Sequence, residues 1–361
     1  MKKEVLQEHV NSFVERLKKE PEIKKEYQKL KGKADLYQRQ TRQSINSMEK
    51  EEFTDLIGSL LGAKKWGNKN ELIDKLIEEN GFSYLKKRLA EFIWSEKLLE
   101  NRWDEFRREV KSFGPAMMSE MLCLVYPKEF MIWNRKAFVA LKYLGIDDLP
   151  RYNYQCTGKK YLDLCNIAQN IAKEIKKAGV ENVDLLLVDI FIRKELQVGK
   201  QINKIHIDKI VQSARGELEN EKDHKLVNEE IIEKISQIGK WLGFTTSKDT
   251  KVAGGSVVDV VWEAKIGNMG RIIYVFEVLH NNIDGLILNL LKSLNNPAVQ
   301  GVVAVSDEER LEKIKNEAKE VGNLRDKLKY WDFNEVLDNY EALSFVNESI
   351  SRLDLVPDGK H

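Results

Sequence analysis

Cysteine is scarce in this chain: Cys123, Cys156 and Cys165 are the only three in 361 residues. An odd number with no Cys-x-x-Cys pair argues against a disulfide framework and against a thiolate zinc site, and points to a reducing compartment. Proline is scarce too, at six residues. Together with the wealth of Lys, Glu and Ile, this leans toward a thermophile's composition. No apolar run approaches the roughly 18 residues of a membrane span. The N-terminal stretch MKKEVLQEHVNSFVERLKKE has no apolar signal core. These absences lead us to expect a soluble cytoplasmic protein with no membrane partner. Net charge is also nearly absent, 59 Lys and Arg against 58 Asp and Glu, so the chain as a whole makes no electrostatic case for nucleic acid. The charge is uneven, however. Residues 1–50 hold thirteen Lys and Arg against eight Asp and Glu, a local excess of +5. Such a basic arm is compatible with phosphate binding without requiring it.

Hydrophobic residues make up 42% of the chain, enough for a core, and the length suits about two domains. Residues 1–196 read as helical. Apolar residues recur at helical spacing in VLQEHVNSFVERL and in ELIDKLIEENGFSYLKKRLAEFIW. Pro21 sits where a helix could start, and Gly81 and Gly114 break the pattern. Residues 197–222 turn polar and form the expected linker. From 223 to 361 the character changes. An amphipathic helix over 224–244 is followed by SVVDVVWEAK and RIIYVFEVLH, two β-branched and aromatic runs. KIGNMG supplies a turn between them. Then come a short apolar helix (283–296), a continuous apolar run AVQGVVAVS, a helix from 307 and a last strand LKYWDF. If GFTTSKD opens the sheet, the order is helix, three strands, helix, strand, helix, strand. The expected fold class is α+β overall: an all-α N-terminal domain, then an α/β/α sandwich on a small mixed sheet.

Each of the two apolar runs carries an acid, Asp259 in VVDVV and Glu277 in YVFEV. An acid in an apolar strand is costly to bury without a partner. A hairpin turning at 265–270 would set the two opposite each other, where they repel. A divalent cation removes both difficulties, because Mg²⁺ is held by one or two carboxylates with waters and substrate phosphates. The competing reading makes them strand-end acids paired with Lys or Arg.

The order of an N-terminal helix, a hairpin with Asp on one strand and Glu on the next, and an α–β unit resembles the PD-(D/E)XK, or restriction-endonuclease-like, nuclease superfamily over about residues 223–340. The resemblance implies that Asp259 and Glu277 bind Mg²⁺ or Mn²⁺. It also implies a lysine two residues past the Glu to position the attacking water. Here that place holds Leu279, which can neither donate a hydrogen bond nor stabilise charge. Two replacements present themselves. His280 is adjacent, but strand alternation would point it to the other face; otherwise it is a surface histidine. Lys292 shares the polar stripe of the next helix with Asn289 and takes precedence over His280; otherwise it is a solvated helix residue. Glu230 sits on the helix that often lends a glutamate to such sites, or on a solvated face. A third outcome is lost catalysis with binding retained.

In the first half, FGPAMMSEMLCLVYPKEFMIWNRKAFVALKYLGI is similar to the helix–hairpin–helix DNA glycosylases. Those enzymes have an Asp near the place where Asn134 stands, so base excision is not implied, but backbone binding at a helix N-terminus is. The residues to watch are Trp133, Asn134, Arg135 and Lys136. The alternative is a helical bundle with Trp133 in its core. The basic stretch LYQRQTRQSI, read as one helix face, offers Tyr37, Arg39 and Arg42 to phosphate, or to solvent. The expectation is thus a metal-dependent DNA endonuclease of restriction or phage-defence type, with RNA left open as substrate. A homodimer would supply the two sites needed to cut both strands. The rivals are an inactive nuclease-fold protein that binds nucleic acid or a partner, and a helical scaffold with no nucleic-acid role.

Overall fold

The apolar stripes of the first half become helices because each buries a stripe of side chains spaced at three and four residues. In α1 (Lys3–Lys19) the buried stripe is Leu6, Val10, Phe13 and Val14. The computed structural model describes residues 1–60, 69–196, 221–253, 256–265, 267, 270–319, 321, 324 and 327–351. The chain divides into two compact units, Met1–Arg215 and Gly216–His361. The linker expected over 197–222 lies, but for its last two residues, outside the described residues.

The described part of the first unit is helical throughout. Pro21 opens α2 (Pro21–Gln38), where its missing N–H costs nothing. The stretch expected as one helix face, 36–45, is broken. α2 ends at Gln38, and Thr41 caps a separate α3 (Arg42–Ser47), its side chain accepting from the Ser44 N–H. A polar cap residue competes with helix continuation and wins here. Then follow α4 (Lys50–Gly58), α5 (Lys69–Asn80), α6 (Phe82–Trp94) and α7 (Leu99–Glu109). Gly81, at φ 77°, separates α5 from α6, a backbone setting few other residues adopt. α8 (Pro115–Val125) is buried along most of its length, and α9 (Arg135–Tyr143), α10 (Gly158–Lys177) and α11 (Leu185–Lys194) complete the unit. Its core holds aromatic pairs such as Trp103 on Tyr161, with ring centroids 4.1 Å apart.

The second unit is built on five strands in the order β1-β2-β3-β4-β5. β1 (Thr245–Ala253), β2 (Ser256–Lys265) and β3 (Arg271–Val278) pair antiparallel; β3, β4 (Val299–Ser306) and β5 (Leu328–Asp332) pair parallel. The sheet is therefore mixed, and the helices lie on both of its faces. On one face α12 (Glu221–Trp241) crosses β1 and β2 and packs on α15 (Phe333–Ser351), a helix that the sequence pattern did not reveal. Trp262 on β2 donates its Nε1–H to the Ile235 carbonyl of α12 at 3.1 Å. On the other face α13 (Ile283–Ser293) and α14 (Glu308–Ala318) share a core of Val261, Val275, Leu286, Leu290, Val302 and Ile314. The element order read from the sequence is the observed one as far as β5, with TTSKD opening β1; α15 is the addition. Residues 266, 268 and 269 of the expected turn lie outside the described residues.

Candidate acid site on the β2–β3 hairpin

The β2–β3 register places Val260 opposite Phe276 and Val261 opposite Val275. One step further, the same register sets Asp259 opposite Glu277. Regular pairing stops there because the acid side chains take over the backbone donors. The Asp259 N–H donates to Glu277 Oε2 at 3.2 Å, and the Val278 N–H donates to Asp259 Oδ2 at 2.7 Å. The remaining two carboxylate oxygens are also engaged. Asn289 on α13 donates from Nδ2 to Glu277 Oε1 at 2.8 Å. His280 Nε2 lies 3.4 Å from Asp259 Oδ1. Each carboxylate is thus held at both oxygens.

Glu277 is buried, at 7% exposure. Burial, and next the neighbouring Asp259 charge, push its carboxyl up to about 7, against the opposing pull of the Asn289 and Asp259 hydrogen bonds. His280 is moved upward as well, chiefly by its hydrogen bond to Asp259. Among the described residues no Lys or Arg side chain pairs with either acid; the side chain that faces Asp259 is His280, a cation only when protonated. Negative charge is concentrated here and only partly compensated.

Leu279 is 3% exposed and belongs to the core beneath α13. No lysine-like donor enters from that position. His280 departs from the expected alternation because β3 ends at Val278, so the ring is free to turn back toward Asp259. Lys292 lines a hollow with Leu291, Leu294, Asn295 and Lys327; among the described residues no hydrogen bond or ion pair joins it to Asp259 or Glu277. Glu230 pairs with Lys234 at 3.4 Å, and Lys234 lies over the Tyr340 ring of α15. Its side of α12 faces α15, and the residue that α12 sends toward the acids is Asn228. The Asn228 Nδ2 donates to the Leu279 carbonyl at 3.1 Å and lies 3.2 Å from His280 Nδ1. Asn228 and Asn289 were not among the expected site residues. Each had a signal: Asn228 falls on the stripe of Val227, Ile231 and Ile235, all buried, and Asn289 interrupts the apolar run ILNLL.

The nucleic-acid residues expected in the first unit are differently placed. Tyr37 is a core residue at 2% exposure, its hydroxyl donating to the Leu56 carbonyl; it cannot meet phosphate. Trp133 is buried at 6%, with its backbone N–H donating to Ser119 Oγ at 2.9 Å. That is the core reading weighed for it. Asn134 caps α9, accepting from the Ala137 N–H at 3.0 Å. Arg135 lies over the Phe138 ring, and it and Lys136 are half-buried. Arg39 is exposed at the end of α2. Arg42 donates to the Trp94 carbonyl at 3.3 Å and lines a hollow with Arg88, Lys97 and Arg102. Gly114, which breaks the helical pattern, is the N-cap of α8, and Pro115 is its first residue.

Among the described residues no three His, Cys, Asp or Glu side chains are arranged to hold a metal ion. Two carboxylates suffice for Mg²⁺ when waters and a substrate phosphate complete its octahedron. Asp259 and Glu277 fit that demand: they come from adjacent strands, have no Lys or Arg partner among the described residues, and crowd enough to lift the Glu277 carboxyl. No family model, curated protein or solved structure matches the chain. No helix in the described residues is long and apolar enough to cross a membrane.

Proposed function

We propose that the unit Gly216–His361 is a metal-dependent phosphodiester hydrolase of the restriction-endonuclease-like type, acting on DNA in restriction or phage defence. The observation that supports it is the Asp259–Glu277 pair, facing across one hairpin with all four oxygens oriented by hydrogen bonds. Mg²⁺ or Mn²⁺ held there would polarise a phosphate oxygen and lower the pKa of an attacking water. The protein's own part is positional. Asn289 and the Asp259 N–H fix Glu277, and the Val278 N–H and His280 fix Asp259. A second copy of the chain would supply the second site for a double-strand cut.

Leu279 favours a second reading, that the fold binds nucleic acid or a partner without cleaving. A buried leucine offers no charge to the reacting phosphate, and Lys292 is not joined to the acids. The two readings part in one experiment. Supercoiled plasmid is incubated with the full chain and Mg²⁺ or Mn²⁺, beside Asp259→Ala and Glu277→Ala. Nicking by the wild type that both variants lose supports the nuclease. Salt-dependent DNA binding without nicking supports the binding module, and the absence of both sinks the two together. Repeating the assay with RNA assigns the substrate.

A further inference from the structure

We propose that Asn228 is a positioning residue: it fixes the His280 ring as the tautomer that carries its proton on Nε2, so that His280 is a donor to Asp259 and not a metal ligand. The argument begins at the Leu279 carbonyl. An oxygen there can only accept, so the atom of Asn228 that lies 3.1 Å away is its amide nitrogen. The orientation of the amide is therefore set by the backbone. The same nitrogen lies 3.2 Å from His280 Nδ1. An N–H aimed at Nδ1 requires a lone pair on Nδ1, and in a neutral imidazole the proton must then sit on Nε2. Nε2 is the atom 3.4 Å from Asp259 Oδ1. Asn228 is itself 2% exposed, so water does not compete for its amide.

The consequence bears on the acid pair. With Nδ1 occupied by Asn228 and Nε2 protonated toward Asp259, neither ring nitrogen offers a lone pair to a cation. What His280 supplies is orientation. It holds Asp259 Oδ1 while the Val278 N–H holds Oδ2. Outer hydrogen-bond partners of this kind tune how well a carboxylate binds metal. This role for His280 rests on the reading of Asp259 and Glu277 as metal ligands; the tautomer itself does not.

The test uses the full chain labelled with ¹⁵N in its five histidines, and a long-range proton–nitrogen correlation spectrum taken above the ring's titration. The signal missing from His280→Ala identifies the residue. The wild type is expected to show a protonated Nε2 and a bare Nδ1. A proton on Nδ1, or an even mixture, overturns the proposal; the tautomer is read on the wild type, and His280→Ala serves only to assign the signal. Asn228→Leu removes the donor and should shift His280 alone toward a mixture; an unchanged tautomer overturns the assignment to Asn228. Mn²⁺ binding followed by electron paramagnetic resonance gives the second readout. Asn228→Leu and His280→Ala should each weaken it about tenfold, and unchanged affinity in both refutes the positioning role. If the wild type binds no Mn²⁺, the metal reading of the acid pair fails, and the tautomer spectrum still decides the case of Asn228.

Discussion

At Glu277 burial and the Asp259 charge act in the same direction, and that gives the site a pH signature. The carboxyl is raised from an ordinary 4.5 to about 7. Between those values the folded chain keeps a proton that the unfolded chain has released. The folded state thus binds more protons, and stability falls as pH rises through the window, to be lowest above it. The displacement corresponds to roughly 3 kcal/mol. Glu277→Gln removes the ionisation while keeping the shape. Its carbonyl can still accept from the Asp259 N–H, and the Asn289 amide can turn over to meet the new NH₂. We expect urea titrations of this variant to lack the loss that the wild type shows between about pH 4.5 and 7. A parallel decline in both proteins would assign that loss to other groups. A cation that needs the ionised pair should bind the wild type better above this window than below it.

Elements are where the sequence was most readable. β2 and β3 were legible because Val, Ile, Tyr and Phe crowd them, and their register followed from a turn of short length. That register alone brings Asp259 to Glu277. What the sequence hid is what lies across an interface. Nothing local to α12 says that Asn228, not Glu230, meets the end of β3; that depends on how the helix rolls on the sheet. Likewise the polar stripe of α13 suggested Lys292, and the structure uses Asn289, one turn nearer the acids. The break between α2 and α3 was missed because Thr41 acts through a cap that periodicity does not register. Two substitutions test this packing. A Cβ on Gly239 of α12 would come within 2.5 Å of Trp262 Nε1 and 2.7 Å of the Thr246 side chain. Gly239→Ala should therefore destabilise the chain by about 1–3 kcal/mol despite a gain in helix propensity; stabilisation would show that α12 does not sit on β1 and β2 as described. Asn289→Ala removes a donor that favours the ionised Glu277. The pH midpoint of Mn²⁺ binding should then move upward from that of the wild type, whereas Lys292→Ala should leave it in place.

Over the whole molecule the charges nearly cancel, yet the first fifty residues carry an excess of +5. If the first unit engages nucleic acid, the surface available to it is narrower than the basic sequence suggested. Tyr37 and Trp133 are core residues, and the Asn134 side chain is spent on a helix cap. Of the arginines of the arm, Arg39 and Arg42 are exposed residues. Phosphate contacts release counterions, so each one lost flattens the dependence of log affinity on log salt by about one unit. The double variant Arg39→Ala/Arg42→Ala should lower that slope by up to about two if both residues touch phosphate. Affinity should fall on all DNA sequences alike, because backbone contacts position a protein without reading bases. Arg42 also donates to the Trp94 carbonyl at the end of α6, so far-UV circular dichroism must show the helices intact before the slope is interpreted. An unchanged slope would remove Arg39 and Arg42 from the interface.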